Sequence, residues 1–486
     1  MKKEQIVDMI GEAPDNYVKD AKEYKKKRRI PRWSKWMGGI AAVLAIVLLV
    51  NNMLGIFQIP EIPLAIHAHA VSKAAEPRVS DYDAVRDKSK EERDAWWAAN
   101  DLRDDLRDEA LPSLASFSEL CSAEMISGTD STNRVWSPVN AYIALAMTAE
   151  LTEGEAQEEL FTLLGVDSLE ALRSRISAVW ESAYENDKGN EICTLANSLW
   201  IDNDLDYSKE VMDILAYDYY ASVYQRDLGS DRTNTDITNW MKNQTGGFLS
   251  DRTGKTDLAK EDMMLTTAST IYFQAKWNDE FNKSMNTDGV FHAADGDVNC
   301  TFMNKKLAEM NYYWAEDFGA VQMFMKNGAS MWFILPDEDK TVDDVLSGGD
   351  YMNMVTLSDK FPKENKKWMK VNLSVPKFDV SASVNVKEGL ENLGVSKIFD
   401  WTTNSFASTM QSKTSSFPVY LDSINQDTRV KIDEKGVTAA SYIELNFGAG
   451  AAEPPDEIID FVLDRPFVFV VSREQIPLFV GTVNTP

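Results

Sequence analysis

Histidine is scarce in this chain. Only His67, His69 and His292 are present, and the first two lie outside the main domain delimited below. A Ser–His–Asp or Cys–His hydrolase needs an imidazole that takes and returns the nucleophile's proton, and here it would rest on His292 alone. Cys121, Cys193 and Cys300 are widely spaced, odd in number, and form neither a CxxC pair nor a metal-ligand pattern. They read as core residues. No catalytic residue, no metal site and no cofactor is expected. The formal charge of −27 repels phosphate backbones, which argues against a nucleic-acid partner.

The remaining sequence organises a membrane segment and one large domain. Of the 486 residues, 44% are hydrophobic, enough for a sizeable core and more chain than a small domain needs. Residues 37–57 (MGGIAAVLAIVLLVNNMLGIF) carry no charge and have about the 20 residues that cross a bilayer as a helix. Lys25, Lys26, Lys27, Arg28, Arg29, Arg32 and Lys35 precede this run, and no Lys or Arg follows until Lys73. The positive-inside rule then makes residues 1–36 a cytoplasmic basic tail and puts the rest outside the cell. A cleaved signal peptide is the rival reading, with Ala68-His69-Ala70 as its cleavage site, but that site lies far past the apolar run. Residues 58–110 are expected to form a charged extracellular stalk. From 111 to 486 there is one domain. Ala141–Leu151 is nearly all apolar and reads as a buried helix, with Ser137 as its cap and Pro138 at its first turn. Met323–Leu335, Val371–Val375, Phe461–Leu463 and Phe467–Val471 read as strands. Helices first and strands later predict the α+β class.

Within that domain a series of motifs carries a family resemblance. Asn133 to Asn140 (NRVWSPVN) resembles the serpin pattern N-x-x-x-S-P-x-S. Ile237, Asn239-Trp240 and Thr245-Gly246-Gly247 resemble I-N-x-W…T-x-G. Ala268 to Trp277 (ASTIYFQAKW), followed by Phe281 and Thr287, resembles N-A-I-Y-F-K-G-K-W. Val375-Pro376-Lys377-Phe378, then Leu393-Gly394-Val395 and Phe399, resemble L-P-K-F and L-G-M…F. Ile432 to Gly436 (IDEKG) resembles the start of the reactive loop. Arg465-Pro466-Phe467, Pro477 to Gly481 and Asn484-Thr485-Pro486 resemble the family's C-terminus. Each motif alone is common; their order and spacing identify the resemblance. It implies about nine helices around three β-sheets, with a large central sheet that can accept one more strand. The short tail, single anchor and lack of a disulfide framework look bacterial.

The resemblance also implies a mechanism. A serine protease attacks the reactive loop, here about 434–464, and becomes acylated. The cut loop then enters the central sheet and carries the protease with it. About 15 residues at roughly 3.3 Å each span about 50 Å. The hinge residues are Glu434, Gly436, Val437, Thr438, Ala439, Ala440 and Ser441. Strand alternation turns Val437, Ala439, Ser441 and Ile443 to one face. All are uncharged and small to medium, which suits burial and favours an inhibitor. Counting from Glu434 by the family spacing puts the bait bond at Gly450-Ala451, flanked by Phe447, Gly448, Ala449 and Ala452. Small residues there fit elastase-like or subtilisin-like proteases. No Lys or Arg for a trypsin-like enzyme occurs between Gly436 and Asp464. The resemblance places Ser137, Asn140, Gln426 and Trp277 where the sheet opens; Asn140 and Gln426 depart from the family's Ser and His but still donate and accept hydrogen bonds. The expected protein is a monomer that forms covalent complexes with serine proteases. The alternative is a non-inhibitory serpin, a carrier or surface-binding protein.

Overall fold

The computed structural model describes residues 63–76, 85–128, 130–187, 191–245, 264–358, 360–414, 418–421, 424–437 and 457–486. The apolar run 37–57 and the basic tail lie outside them. Among the described residues no helix is long and apolar enough to cross a membrane.

The chain runs β1 (His69–Ser72), α1 (Lys90–Ile126), β2 (Arg134–Trp136), α2 (Pro138–Leu151), α3 (Glu155–Leu164), α4 (Leu169–Ala183), β3 (Glu185–Asp187), β4 (Glu191–Asp202), β5 (Leu205–Tyr207), α5 (Lys209–Asp218), β6 (Ala221–Arg226), α6 (Asp231–Gln244) and β7 (Leu265–Lys276). It continues through β8 (Thr287–Ala293), β9 (Gly296–Trp314), β10 (Phe318–Phe324), β11 (Ala329–Pro336), α7 (Val342–Gly348), α8 (Asp350–Thr356), β12 (Lys366–Pro376), β13 (Asp379–Asn385), α9 (Lys387–Asn392), β14 (Met410–Ser412), β15 (Asn425–Asp433), β16 (Gly436–Val437), β17 (Ile458–Val462), β18 (Phe467–Arg473) and β19 (Ile476–Val483). The described strands form an eight-stranded sheet ordered β1-β6-β4-β7-β16-β15-β13 with β3 on β4, a nine-stranded sheet, and the pair β14-β5. This mixture of nine described helices and three sheets agrees with the α+β expectation.

Helix α2 follows the sequence reading closely. The Ser137 hydroxyl accepts from Asn140 N, Pro138 occupies the first turn, and every residue from Pro138 to Leu151 is buried. Such a helix is apolar all round because it runs through the core rather than over it. The stretch Met323–Leu335 is not one strand. Asn327 (φ 61°) and Gly328 (φ 96°) turn the chain, so β10 and β11 pair as a hairpin from Phe318↔Pro336 to Phe324↔Ser330.

The stalk boundary at 110 needs correction. It falls inside α1, which begins at Lys90 with a capping box between Ser89 and Glu92 and buries one face from Ala110 onward. The charged half of that helix is the exposed start of an element whose second half is core. Upstream, residues 64–75 are poor in charge and run along the edge of the central sheet, many of them exposed. β1 pairs with the outer edge of β6, with His69 opposite Gln225 and Ser72 opposite Val223. An unpaired edge strand readily accepts such an addition.

Candidate functional site: the seam of the central sheet

The seam lies between β7 and β15. Among the described residues the strand between them is β16, two residues long and antiparallel to both. The chain reaches it through a tight turn at the end of β15. There the Asp433 carboxylate accepts from Lys435 N (2.8 Å) and Gly436 N (3.3 Å), the local side-chain capping that suits Asp to turns. Gly436 then pairs with Asp433 and Lys276, and Val437 with Ile432 and Ala275. The approach is too close for any side chain at 436. A Cβ there would lie 2.1 Å from the Ala275 carbonyl oxygen and 2.8 Å from Lys276 Cα. Val437 is 2% exposed, beside the equally buried Ala275 and Ile432.

Several groups clamp the turn from outside. Trp277 donates its indole N–H to the Asp433 carbonyl (3.0 Å) and its backbone N–H to the Lys435 carbonyl (2.9 Å). Phe281 N donates to the Glu434 carbonyl (2.9 Å). The Glu434 carboxylate takes Lys377 Nζ at 2.6 Å and Asn286 Nδ2 at 2.6 Å. Burial pushes this carboxyl up, but the hydrogen bonds from Lys377, the backbone and Asn286 and the Lys377 charge outweigh it and hold it below the usual range. One strand over, Glu191 on β4 pairs with Ala275. Its side chain meets Arg473 Nη1 at 2.6 Å, and Arg473 Nη2 reaches Glu185 at 3.0 Å. Burial dominates the Glu191 carboxyl and raises it to about 7 despite the arginine.

A second cluster lies farther down the seam. Ser137 N donates to Gln426 Oε1 (2.6 Å), and Gln426 Nε2 donates back to the Ser137 carbonyl (3.0 Å). The Asn140 side-chain oxygen is 2.5 Å from Ser269 Oγ, which is also 2.5 Å from Asn197 Oδ1. One hydroxyl proton is thus shared between two amide oxygens. Thr428 Oγ1 adds a contact to Gln426 Oε1 at 3.3 Å. The cluster joins α2 to β4, β7 and β15, so both flanks of the seam hang on it. Gln426 reproduces reciprocal hydrogen bonding with a side chain that has no charge to gain or lose.

The expected group of four is therefore split. Ser137, Asn140 and Gln426 come together, whereas Trp277 stands at the hinge, eight residues along β7 from Ser269 and roughly 26 Å away at 3.3 Å per residue. Ser269, Asn197 and Thr428 belong to the cluster and were not singled out; inward alternation on β7, counted from Ala275, is the signal that reaches Ser269. Glu434, Gly436 and Val437 are placed as described. Thr438, Ala439, Ala440, Ser441, Phe447, Gly448, Ala449, Gly450, Ala451 and Ala452 lie outside the described residues. The chain is described again from Glu457, where β17 runs parallel to β12 with Ile458 opposite Lys370. His292 sits on β8, exposed, with its Nδ1 2.8 Å from Asp297. Cys121 and Cys193 are buried and Cys300 is half-buried, all as free thiols.

Comparison with known proteins agrees with this geometry. The family model described as "Serpin (serine protease inhibitor)" matches residues 113–486. Serpin-ZX of Arabidopsis thaliana is 26% identical over 383 residues, covering 74% of this chain and 93% of that protein. Serine protease inhibitor 2 of Anopheles gambiae is 25% identical over 374 residues, covering 73% and 87%. Among solved structures, the native state of the thermophilic serpin tengpin superposes with a TM-score of 0.66 at 24% identity, covering 86% of this chain and all of that one.

Proposed function

The chain belongs to the serpin family, and on that premise we propose that it is a suicide inhibitor of serine proteases held at a membrane by residues 37–57. The observation that carries the reading is β16, two hinge residues lying antiparallel between β7 and β15. Continuing that register brings Ala439 opposite Phe273 and Val430, Ser441 opposite Ile271 and Thr428, and Ile443 opposite Ser269 and Gln426. The first two positions are small and uncharged and face buried neighbours. Each added residue closes ladder hydrogen bonds on both sides, at a net gain of about 1 kcal/mol per bond.

In the proposed reaction the protease's serine oxygen attacks the Gly450 carbonyl. The Gly450–Ala451 C–N bond breaks, the Ala451 amine leaves with a proton, and Gly450 remains as an ester on the protease. Insertion that outruns hydrolysis of this ester traps the enzyme. The small residues 448–452 favour an elastase-like or subtilisin-like target. The basic tail 1–36 and the apolar run support an extracellular, membrane-anchored inhibitor of bacterial type, acting as a monomer. A second reading, a carrier that does not insert, is favoured by Ile443, whose apolar side chain would meet the polar Ser269–Gln426 cluster.

The test mixes the protein with a panel of serine proteases. A complex that survives denaturing electrophoresis, a released C-terminal peptide beginning at Ala451, and a higher melting temperature after cleavage support inhibition. Cleavage without complex or added thermal stability favours the carrier. Proteolysis of intact cells should remove the domain beyond 100 and spare residues 1–36; protection of the large domain would refute the orientation.

A further inference from the structure

We propose that Arg473 latches the hinge end of the central sheet to the nine-stranded sheet, and that a proton on Glu191 keeps the latch closed until rising pH removes it and eases loop insertion, an inference that rests on the insertion reading above. Arg473 ends β18 in the nine-stranded sheet and is 8% exposed. Its guanidinium donates to four acceptors. Nε donates to the Ser182 carbonyl of α4 (3.2 Å) and Nη2 to Glu185 Oε2 on β3 (3.0 Å). Nη1 donates to Glu191 Oε1 on β4 (2.6 Å) and to the Asn327 carbonyl in the turn from β10 to β11 (2.7 Å). One side chain thus ties α4, β3 and β4 to two hairpins of the other sheet. Arginine suits the task because its planar fork holds several acceptors at once.

The charges inside the latch do not balance. Glu185 and Glu191 share one guanidinium, and Asp187 on β3 is the register partner of Glu191. Cys193, next on the same face of β4, has its thiol raised by burial and stays neutral. On β7 the partner of Glu191 is the apolar Ala275. Past Arg473, Glu474 is answered by Arg107 of α1 (3.5 Å). Two ionised carboxylates beside one arginine would leave a buried negative charge, which is costly. Glu191 is 1% exposed, and its Oε2 meets no donor among the described residues. That oxygen carries the proton. Burial, the largest influence, raises this carboxyl to about 7 against the pull of Arg473.

What the latch restrains follows from the register. Val437 of β16 lies opposite Ala275, which pairs on its other side with Glu191. The next row is Phe273 with Cys193. Further entry of the loop must part that row from β15 by one strand spacing, about 4.8 Å. β4 is bonded to β7 from Glu191 to Ile201, so it moves too, across a sheet that holds Arg473. A 2.6 Å bond from Glu191 does not survive that shift. Once parted, Glu191 meets water and titrates near its ordinary 4.5. The closed form therefore gains most from Glu191 below pH 4.5 and loses that gain as pH rises through about 7. Between pH 6 and pH 8 this linkage lowers the closed-to-open ratio about tenfold.

The experiment pulses the full-length protein with iodoacetamide at pH 6 and pH 8 and compares wild type with Glu191→Gln, which stays neutral at both. Mass spectrometry reads Cys193, which opening of the latch uncovers, and Cys121, a buried thiol of α1 that only wider unfolding uncovers. The ratio of wild-type to variant labelling cancels the intrinsic pH dependence of a thiol. At Cys193 this ratio should rise about tenfold from pH 6 to pH 8, and at Cys121 it should stay level. Arg473→Lys, which gives up the fork, should label faster than wild type at Cys193 already at pH 6. Insertion after cleavage should quicken from pH 6 to pH 8 in wild type and not in Glu191→Gln. A level ratio at Cys193, an equal rise at both thiols, or wild-type labelling in Arg473→Lys would overturn the latch. If cleaved wild-type protein gains no thermal stability, the insertion reading fails and the latch's control of it falls too, while Cys193 labelling in uncleaved protein still decides the latch itself.

Discussion

Replacing Gly436 by alanine tests the seam most directly. The new Cβ would lie 2.1 Å from the Ala275 carbonyl oxygen and 2.8 Å from Lys276 Cα. Both are backbone atoms in the middle of a sheet, so no side-chain rotation relieves the contact. The cheaper response is for β16 to leave the seam. That exposes Val437, now 2% exposed, at about 2 kcal/mol for a valine side chain, and gives up ladder bonds at about 1 kcal/mol net. Gly436→Ala should therefore destabilise the intact protein by about 3 kcal/mol. Urea denaturation gives the loss, and amide exchange at Val437 and Ile432 shows whether the strand has left. Acylation by a protease should persist, since the bait bond lies 14 residues further along the chain, but insertion should slow and more inhibitor should be consumed as substrate per enzyme trapped. A variant of wild-type stability with Val437 still protected would refute the reasoning.

Other perturbations probe the same seam. Ala439→Arg should prevent burial next to Phe273 and Val430 and turn the inhibitor into a substrate; an unchanged stoichiometry of inhibition would remove the loop-insertion reading. The Glu191 carboxyl is raised by burial to about 7 from an ordinary 4.5, so its contribution to stability is full below pH 4.5 and is lost as pH rises through about 7. Glu191→Gln should flatten that part of a urea-midpoint-versus-pH curve. Glu434 runs the other way. Its carboxyl is held below 4.5, so its contribution is present above that pH and is lost as pH falls through the lower folded value. Glu434→Gln should cost about 1 kcal/mol at pH 7, a small figure because Lys377 is partly exposed and the pair is screened, and the cost read from urea midpoints should shrink as pH falls below 4.5.

The sequence alone was enough for the α+β class and for several of its elements. Those are local properties: Ser137-Pro138 caps and starts a helix that is nearly all apolar, a continuous apolar run marks β18, and IDEKG at 432–436 is a turn whose Asp bonds its own backbone. Long-range pairing was another matter. Nothing in ICTLANSLWI announces that β4 spans the central sheet, since small and polar residues interrupt its pattern and its partners on β7 lie 64 to 82 residues further along the chain. Trp277 and Gln426 were both legible as motif residues, yet which belongs to the hinge and which to the cluster depends on distance along two paired strands. Ser269 and Asn197 acquire their role only because the register sets them beside Asn140. The charge-poor stretch 64–75 reads as spacer because its stabilisation comes from Asp236, Asn239, Asn243 and the edge of β6. A strand at a sheet edge is chosen by the edge that is open to it, and only the folded chain creates that edge.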